Sequence, residues 1–421
     1  MTFPQRTGGC RGATARGVAG IDAGGGDRPG QGQQPGLVEH WRGGSGGAAT
    51  VVAGPAPGLD QLHRLVIDHA GAAGPVFAIE ATGGLHQAWV RELSHRFPRS
   101  VRVFAPSETA AARAQLGSRR FKTDDRDCAA LTYLARQGQG RPVPDQLSDA
   151  LAAAVRHRRG LVAEHKVAQQ RLHDQLHALC PGLAAPEGHG RALPVDGVIG
   201  QAVLDCAAAF AGRPPSVRSL RARARGRVLP SEAEFWVQRW RTCLPPPADA
   251  QARAARLARS LARWRALNTD IAAVDDEIAV LLAGSDGQIL TTLPGVAANC
   301  AAAFAAFSLP IARFPSAEHL YSATGLAPAS YKSATINRRS PISRQGLPEH
   351  RDALMNLAWG LSQHCGPFID RHRELRARGL RPIPARIALA RHTCRLAYTL
   401  IKTQQPFDEQ RYRRARHQSE R

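Results

Sequence analysis

The chain has 421 residues, enough for two or three domains, and its 56 Lys and Arg against 34 Asp and Glu leave a formal net charge of +22; such an excess points to a polyanionic partner, nucleic acid first. Arginine supplies nearly all of it, because Lys122, Lys166, Lys332 and Lys402 are the only lysines, and an Ala/Gly/Arg-rich composition inflates arginine on its own, so the charge supports an assignment without making one. The eight cysteines form no C-x-x-C pair, no apolar run reaches the length of a membrane span, and the N-terminus lacks the apolar core of a signal peptide, so a zinc finger, a redox motif and a membrane protein are disfavoured and a cytoplasmic, nucleoid-associated protein with reduced, buried thiols is expected.

Residues 1–16 are Gly/Arg-rich and read as a disordered basic N-terminus, after which GVAGID reads as a short strand ending on Asp22. From Gly24 to Gly58 turn formers dominate, with VEHW and ATVV the only plausible strand fragments, so no sheet is readable there. VFAI is a short continuous apolar run of the kind buried on both faces; it ends on Glu80 and the turn TGG. In LHQAWVRELSHRF, Leu85, Trp89, Leu93 and Phe97 recur every four residues as in a helix, and SVRVFAP then alternates like a strand as far as Pro106. Strand-helix-strand units are right-handed and parallel, and their ligands lie outside the carboxyl ends of the strands, where Asp22 and Glu80 fall.

In FKTDDRDCAALTYLA, a helix starting near Thr123 places Asp124, Asp127, Leu131 and Leu134 on one stripe while Asp125 points elsewhere. Acids in a first helical turn also complement the helix dipole, so this motif alone does not define a site. Carboxylates that continue an apolar face need compensation, however, and Asp22, Glu80, Asp124 and Asp127 together suit a two-ion Mg2+ site of the kind that cleaves or transfers phosphodiesters.

Helices are expected over about Asp149 to Leu179 and Ala252 to Leu282; in the second, Leu257, Trp264, Ile271 and Ile278 lie seven apart, interleaved with Leu267, Val274 and Leu281, as in a helical hairpin or coiled coil. Between them lies a Pro/Gly-punctuated insert with the basic run RSLRARARGR and the aromatic FWVQRW. LTTLPGVAANCAAAFAAF looks like a helix-hairpin-helix whose turn, at Gly295, offers backbone amides to a phosphate, although an ordinary Pro-Gly turn fits equally. Next comes Ser333 beside Lys332 and among Arg338, Arg339, Arg344 and Arg351, a cluster able to bind phosphate and stabilise a developing negative charge. A lone serine in a basic loop is commonly a solvated turn residue, so chemistry alone does not select it.

AIEATGGLHQAWVRELSHRF through FKTDDRDCAALTYLA resembles the N-terminal RuvC-like domain of insertion-sequence family 110 transposases, which carry an Asp-Glu-Asp-Asp tetrad. Residues from about Leu290 to Lys402 resemble the C-terminal transposase domain of that family in the Pro-Gly turn, in GL-x-P (Gly325, Leu326, Pro328), in IS-x-x-G (Ile342, Ser343, Gly346) and in the closing helix PARIALARHTCRLAYTLI. The resemblance implies that Asp22, Glu80, Asp124 and Asp127 hold metal and that Ser333 is the catalytic serine, with Ala334 where the family has glycine and Ser330 as a neighbouring alternative. Lys122, Gly295, Lys332, Arg338, Arg339, Arg344 and Arg351 are the expected nucleic-acid contacts. The resemblance also implies double-stranded DNA as substrate, a structured guide RNA, and a homodimer assembling to a tetramer.

The expected fold class is α/β plus all-α. A RuvC-like (RNase H-like) catalytic domain over 17–148 is followed by a helical coiled-coil module over 149–286, a mainly helical transposase domain over 287–407 with a helix-hairpin-helix-like start, and a basic tail over 408–421. The expected function is a transposase or recombinase that cleaves and rejoins element ends and target DNA. The alternatives are a hydrolytic RuvC-like junction nuclease, which needs the acids but no serine, and a non-catalytic nucleic-acid-binding remnant, motivated by the Gly/Pro-rich stretch after Asp22.

Overall fold

A computed structural model of the chain describes residues 18–22, 36–41, 49–52, 60, 62–64, 75–82, 86–117, 122–143, 146–184, 192–333 and 336–419, with the backbone course alone for 18–52 and 330–341. The fold is mostly helical with a mixed sheet, in two compact units, Met1–Pro144 and Asp145–Arg421. No helix is long and apolar enough to cross a membrane among the described residues.

The first unit is built on six strands, β1 (Val18–Asp22), β2 (Gly36–Trp41), β3 (Ala49–Val52), β4 (Val76–Glu80), β5 (Val101–Phe104) and the two-residue β6 (Arg141–Pro142), in the order β3-β2-β1-β4-β5-β6. β1, β2 and β3 form an antiparallel meander, β4 runs parallel to β1, and β5 runs parallel to β4. The Gly/Pro-rich stretch from 24 to 58, in which no sheet is legible, thus contributes two strands, and both coincide with the apolar fragments VEHW and ATVV. Four to six residues suffice when neighbouring strands supply the hydrogen bonds that a sequence pattern does not reveal.

The continuous apolar run of β4 has the expected cause, because the strand is covered on both faces. Phe77 and Ile79 pack with Leu62, with Val101 of β5, and with Trp89 and Leu93 of helix α1 (His86–Arg96). Ala78 faces the opposite way, with Phe104, and meets Ala112 of α2 (Pro106–Gln115) and Ala130, Leu131 and Leu134 of α3 (Asp124–Arg136). Phe97 lies just past α1 and sets its ring 5.1 Å from Phe77; Leu85, the first member of that four-residue stripe, lies outside the described residues. Pro106 both ends the strand region and opens α2, where a missing N–H costs nothing.

The second unit is organised by two helices of 34 residues, α4 (Gln146–Leu179) and α8 (Ala250–Ala283). They are antiparallel, as the order of their ion pairs shows: Arg158 pairs with Asp275, while Glu164 pairs with Arg263 at 2.9 Å. Leu257, Leu261, Trp264, Leu267, Val274, Ile278 and Leu282 are the buried seam of α8. Ile271 and Leu281, expected within it, are only partly buried. Between the long helices the insert folds as α5 (Val198–Ala209), α6 (Val217–Arg223) and α7 (Pro230–Arg241), with Trp236 and Trp240 of the aromatic run buried and Phe235 exposed.

The chain continues through a 3-10 turn (Asp286–Thr292), α9 (Ala298–Ser308), α10 (Ala317–Ala323), a hairpin of β7 (Pro328–Ser333) and β8 (Ile336–Ile342), and then α11 (Pro348–His364), α12 (Gly366–Ala377), α13 (Pro382–Thr403) and α14 (Glu409–Ser419). One apolar core runs from Leu151 on α4 to Ile401 on α13. Within it Ser308 Oγ and His350 Nε2 lie 3.0 Å apart, both buried, with Phe304 and Phe307 around the imidazole. Burial, helped by the Arg313 charge, pushes the His350 pKa down to about 3.

This packing sets two expectations for stability. Leu261→Ala should lower the unfolding free energy in denaturant titrations by about 2–5 kcal/mol, whereas Val280→Ala, at a position 74% exposed, should change it by less than about 0.5 kcal/mol. Because His350 binds its proton only near pH 3 in the native state but near 6.5 when unfolded, its contribution is complete above about pH 6.5. That contribution should be lost by roughly 1.4 kcal/mol per pH unit as the pH falls through the window from 6.5 toward 3. His350→Gln should flatten this part of the stability-versus-pH curve.

Candidate active site

Asp22 and Glu80 are the last residues of two adjacent parallel strands. The paired register ends at Ile21 opposite Ile79, so the next step along each strand brings positions 22 and 80 level, one strand spacing of about 4.8 Å apart. The parallel direction therefore puts two acids side by side at the carboxyl edge of the sheet, the expected place for a ligand.

Helix α3 packs on β1, β2 and β4. Its Ala130, Leu131 and Leu134 lie on the face that Ala78 occupies, and alternation along β4 gives Glu80 that same face. One helical turn before Leu131, the stripe reaches Asp127, which is 1% exposed, while Glu80 is 6% exposed. Asp124 opens the helix and is exposed; Lys122 is exposed just before it. The structure thus brings Glu80 and Asp127 to one buried face and leaves Asp124 at its solvent edge.

Of the two buried carboxylates, Asp127 is only partly satisfied. Thr82 Oγ1 donates to Glu80 Oε1 at 3.3 Å. The Arg113 guanidinium of α2 donates to Asp127 Oδ1, and Asp127 Oδ2 is buried with no hydrogen-bond partner. A desolvated carboxylate oxygen without a donor is costly, and this one, among hard oxygen ligands, fits a divalent cation. Among the described residues, which do not include the Asp22 side chain, no three His, Cys, Asp or Glu groups come together as a cage. Sequence reasoning misses Arg113 and Thr82; Thr82 sits in the TGG turn, but nothing local marks Arg113, whose partner is fourteen residues away.

In the second unit, Ser333 is the last residue of β7, pairs with Ile336, and so stands at the tip of a two-residue hairpin connection. Lys332 pairs with Asn337, Tyr331 with Arg338, and Ser330 with Arg339. Serine and basic residues thus occupy one short two-stranded arm rather than an irregular loop.

The base of that arm explains the GL-x-P and IS-x-x-G patterns. Gly325 has φ +71, and a Cβ there would sit 2.9 Å from the Gln345 carbonyl; at Gly346, with φ +145, a Cβ would collide with the Ala323 carbonyl. The two glycines let the strands leaving and re-entering the helical body touch, closed by Ser343 N–H to Ala327 O at 2.8 Å and Arg344 N–H to Gly325 O at 3.0 Å. Arg351 donates to the carbonyls of Thr324, Arg344 and Gly346, so its guanidinium clamps this base, and Arg344 is exposed with φ +56. Gly295, φ +74, lets its turn approach His364 of α11, and the segment before it is a 3-10 turn rather than a full α-helix.

A family model described as "Transposase IS116/IS110/IS902 family" matches residues 287–373, which include Ser333, Gly325 and Gly346. A second, an IS110-type DEDD transposase model, matches residues 54–181, which include Glu80, Asp124 and Asp127 but not Asp22. No curated protein matches the chain.

Removing the partner of a buried charge is more damaging than removing the pair. Arg113→Met should therefore destabilise the metal-free protein by about 3–5 kcal/mol in denaturant unfolding, and the double variant Arg113→Met/Asp127→Asn should recover most of that loss. A double variant no more stable than the single one would show that the pair does not hold the charge.

Proposed function

Since the chain belongs to the IS110 family of transposases, we propose that it cleaves and rejoins DNA at the ends of its element and at a target, using a metal-binding tetrad and a serine nucleophile. The observation that carries this reading is two buried carboxylates, Glu80 level with the end of β1 and Asp127 on the helix packed over that strand pair, with one Asp127 oxygen left without a donor. The mixed sheet, with two parallel steps after an antiparallel meander, supports the RNase H/RuvC-like reading of this unit.

Asp22, Glu80, Asp124 and Asp127 would hold Mg2+, as one ion or two. When bound, such ions stabilise charge on the attacking and leaving oxygens of a phosphodiester. Arg113 fixes one oxygen of Asp127 and leaves the other free to ligate. Glu80 is oriented by Thr82, and Asp124, at the exposed first turn of α3, meets ligand from the solvent side.

Ser333 would exchange one phosphodiester for another: its Oγ forms a bond to phosphorus, the bond to a DNA oxygen breaks, and that oxygen leaves as a free hydroxyl, the proton released by the serine being made up to it through solvent. The exchange conserves the number of ester bonds, so rejoining needs no nucleotide hydrolysis. Lys332, Arg338 and Arg339 on the same arm, with Lys122, Gly295 and Arg344 elsewhere, would contact backbone phosphates, while Arg351 holds the base of the arm. A structured guide RNA would supply sequence choice by pairing, consistent with basic surface in place of a base-reading module. Assembly as a homodimer and then a tetramer would bring two DNA molecules together.

The test combines purified protein, joined element ends, target DNA and the flanking transcribed RNA, with and without Mg2+. Recombinant product should appear only with metal, fall by at least about 10^3-fold in Asp127→Ala, and be lost in Ser333→Ala together with a covalent protein–DNA adduct detectable on denaturing gels. Cleavage without an adduct, retained in Ser333→Ala, would replace this reading with a hydrolytic junction nuclease. Binding without any cleavage would favour the non-catalytic remnant.

A further inference from the structure

The insert between the long helices carries none of the groups assigned above, yet it holds a run of net positive charge uninterrupted by any acid. The fifteen residues from Arg213 to Arg227 contain six arginines and no acid. They run from the end of α5, through α6, into a turn where Arg225 has φ +50 and Gly226 φ +70. Leu220, Ala224 and Val228 anchor this stretch in the core, and Arg221 donates to the Val228 carbonyl at 3.3 Å. Arg213, Arg218, Arg223, Arg225 and Arg227 remain exposed.

Local structure does not account for these charges. Cations help the last turn of a helix, but Arg213 precedes α6 and Arg218 lies in its first turn, where the dipole disfavours them. Among the described residues none of Arg213, Arg218, Arg225 and Arg227 is ion-paired, and Asp205, on the helix leading in, is held by both nitrogens of Arg265 at 3.0 and 2.9 Å. Like charges gathered without counter-charges repel one another in the free protein. Phe210, 37% exposed at the end of α5, lies beneath the Arg223 guanidinium at 5.3 Å, so an aromatic face adjoins the arginines.

We propose that this face of the insert docks an unpaired nucleic-acid strand, its phosphates on Arg213, Arg218, Arg225 and Arg227 and a base stacked at Phe210 and Arg223. Arginines neutralise the backbone, and an exposed ring beside them selects bases that are free to leave a stack, which a duplex does not offer. This docking site does not depend on the chemistry proposed for the acids or for Ser333.

The test uses the full chain in EDTA, with fluorescein-labelled unpaired and duplex probes of equal length, in anisotropy titrations across KCl concentration. Replacing Arg218, Arg225 and Arg227 together by Gln should weaken binding of the unpaired strand about tenfold or more and reduce the salt slope by about 2, at ~0.7 for each phosphate no longer neutralised. The same three positions changed to Lys should retain most of both. Phe210→Leu, which keeps an apolar side chain, should cost about fivefold or more on the unpaired probe and nothing on the duplex. Thermal melting should be unchanged in the arginine variants. Wild-type affinity and slope in the triple Gln variant would overturn the proposal, as would equal losses on duplex and unpaired probes with no effect of Phe210→Leu. Binding is read here in EDTA, where no cleavage occurs, so failure of the catalytic reading would register in the cleavage assay and not in these titrations.

Discussion

A carboxylate buried to 1% exposure is the constraint around which the first unit is arranged. Asp127 reaches its position because α3 lays an apolar stripe on the sheet, and the stripe does not end where the helix meets the sheet's carboxyl edge. A charge there is tolerable only if partnered, and α2, entered by a proline immediately after β5, brings Arg113 to one oxygen. The second oxygen has no donor, an imbalance that a folded protein sustains at a functional site more readily than in ordinary core. Strand order, helix start and ion pair are thus consequences of placing one acid.

The second unit solves a different problem, that of holding a short hairpin steady on a helical body. Two strands of six and seven residues have little independent stability. Here their base is drawn together at Gly325 and Gly346, where side chains would collide with backbone, and the Arg351 guanidinium ties three carbonyls across the junction. The motif glycines are therefore steric requirements of the arm. The helices beneath it share one core with the long pair α4 and α8, so the arm stands on the largest packed body in the chain.

Local periodicity is the part of the structure that the sequence makes legible. The stripe of Trp89 and Leu93, the continuous run of β4, the seam from Leu257 to Ile278 apart from Ile271, and the α3 stripe from Asp127 to Leu134 reappear as buried faces. The strands Gly36–Trp41 and Ala49–Val52 are only faintly marked, because short antiparallel strands draw their stability from neighbours and not from their own alternation. Arg113 is invisible in the sequence because its value lies in an ion pair between two helices, and Arg351 reads as one more surface cation until its guanidinium is placed against backbone carbonyls. The hairpin carrying Ser333 is likewise hidden, since Ala334 and Thr335, which fall between its two strands in the sequence, lack the Asn-Gly or Gly-rich signature of tight hairpins.

The contrast between the two candidate reacting groups has a physical logic of its own. Acids that hold cations work by being fixed, since a ligand that must reorganise loses the electrostatic advantage of a prearranged site; burial under α3 and the Arg113 pair supply that fixity. A serine that becomes joined to a DNA strand has the opposite need, because it must accept a bulky, highly charged chain and hand it on. In the proposed role, Ser333, the last residue of a strand in a two-stranded arm pinned at its base, would meet such a strand from outside the helical core. On the proposed reading, acids fixed under a helix and a serine at the end of a strand would be complementary answers to one reaction, in which charge must be held still while covalent ends change hands.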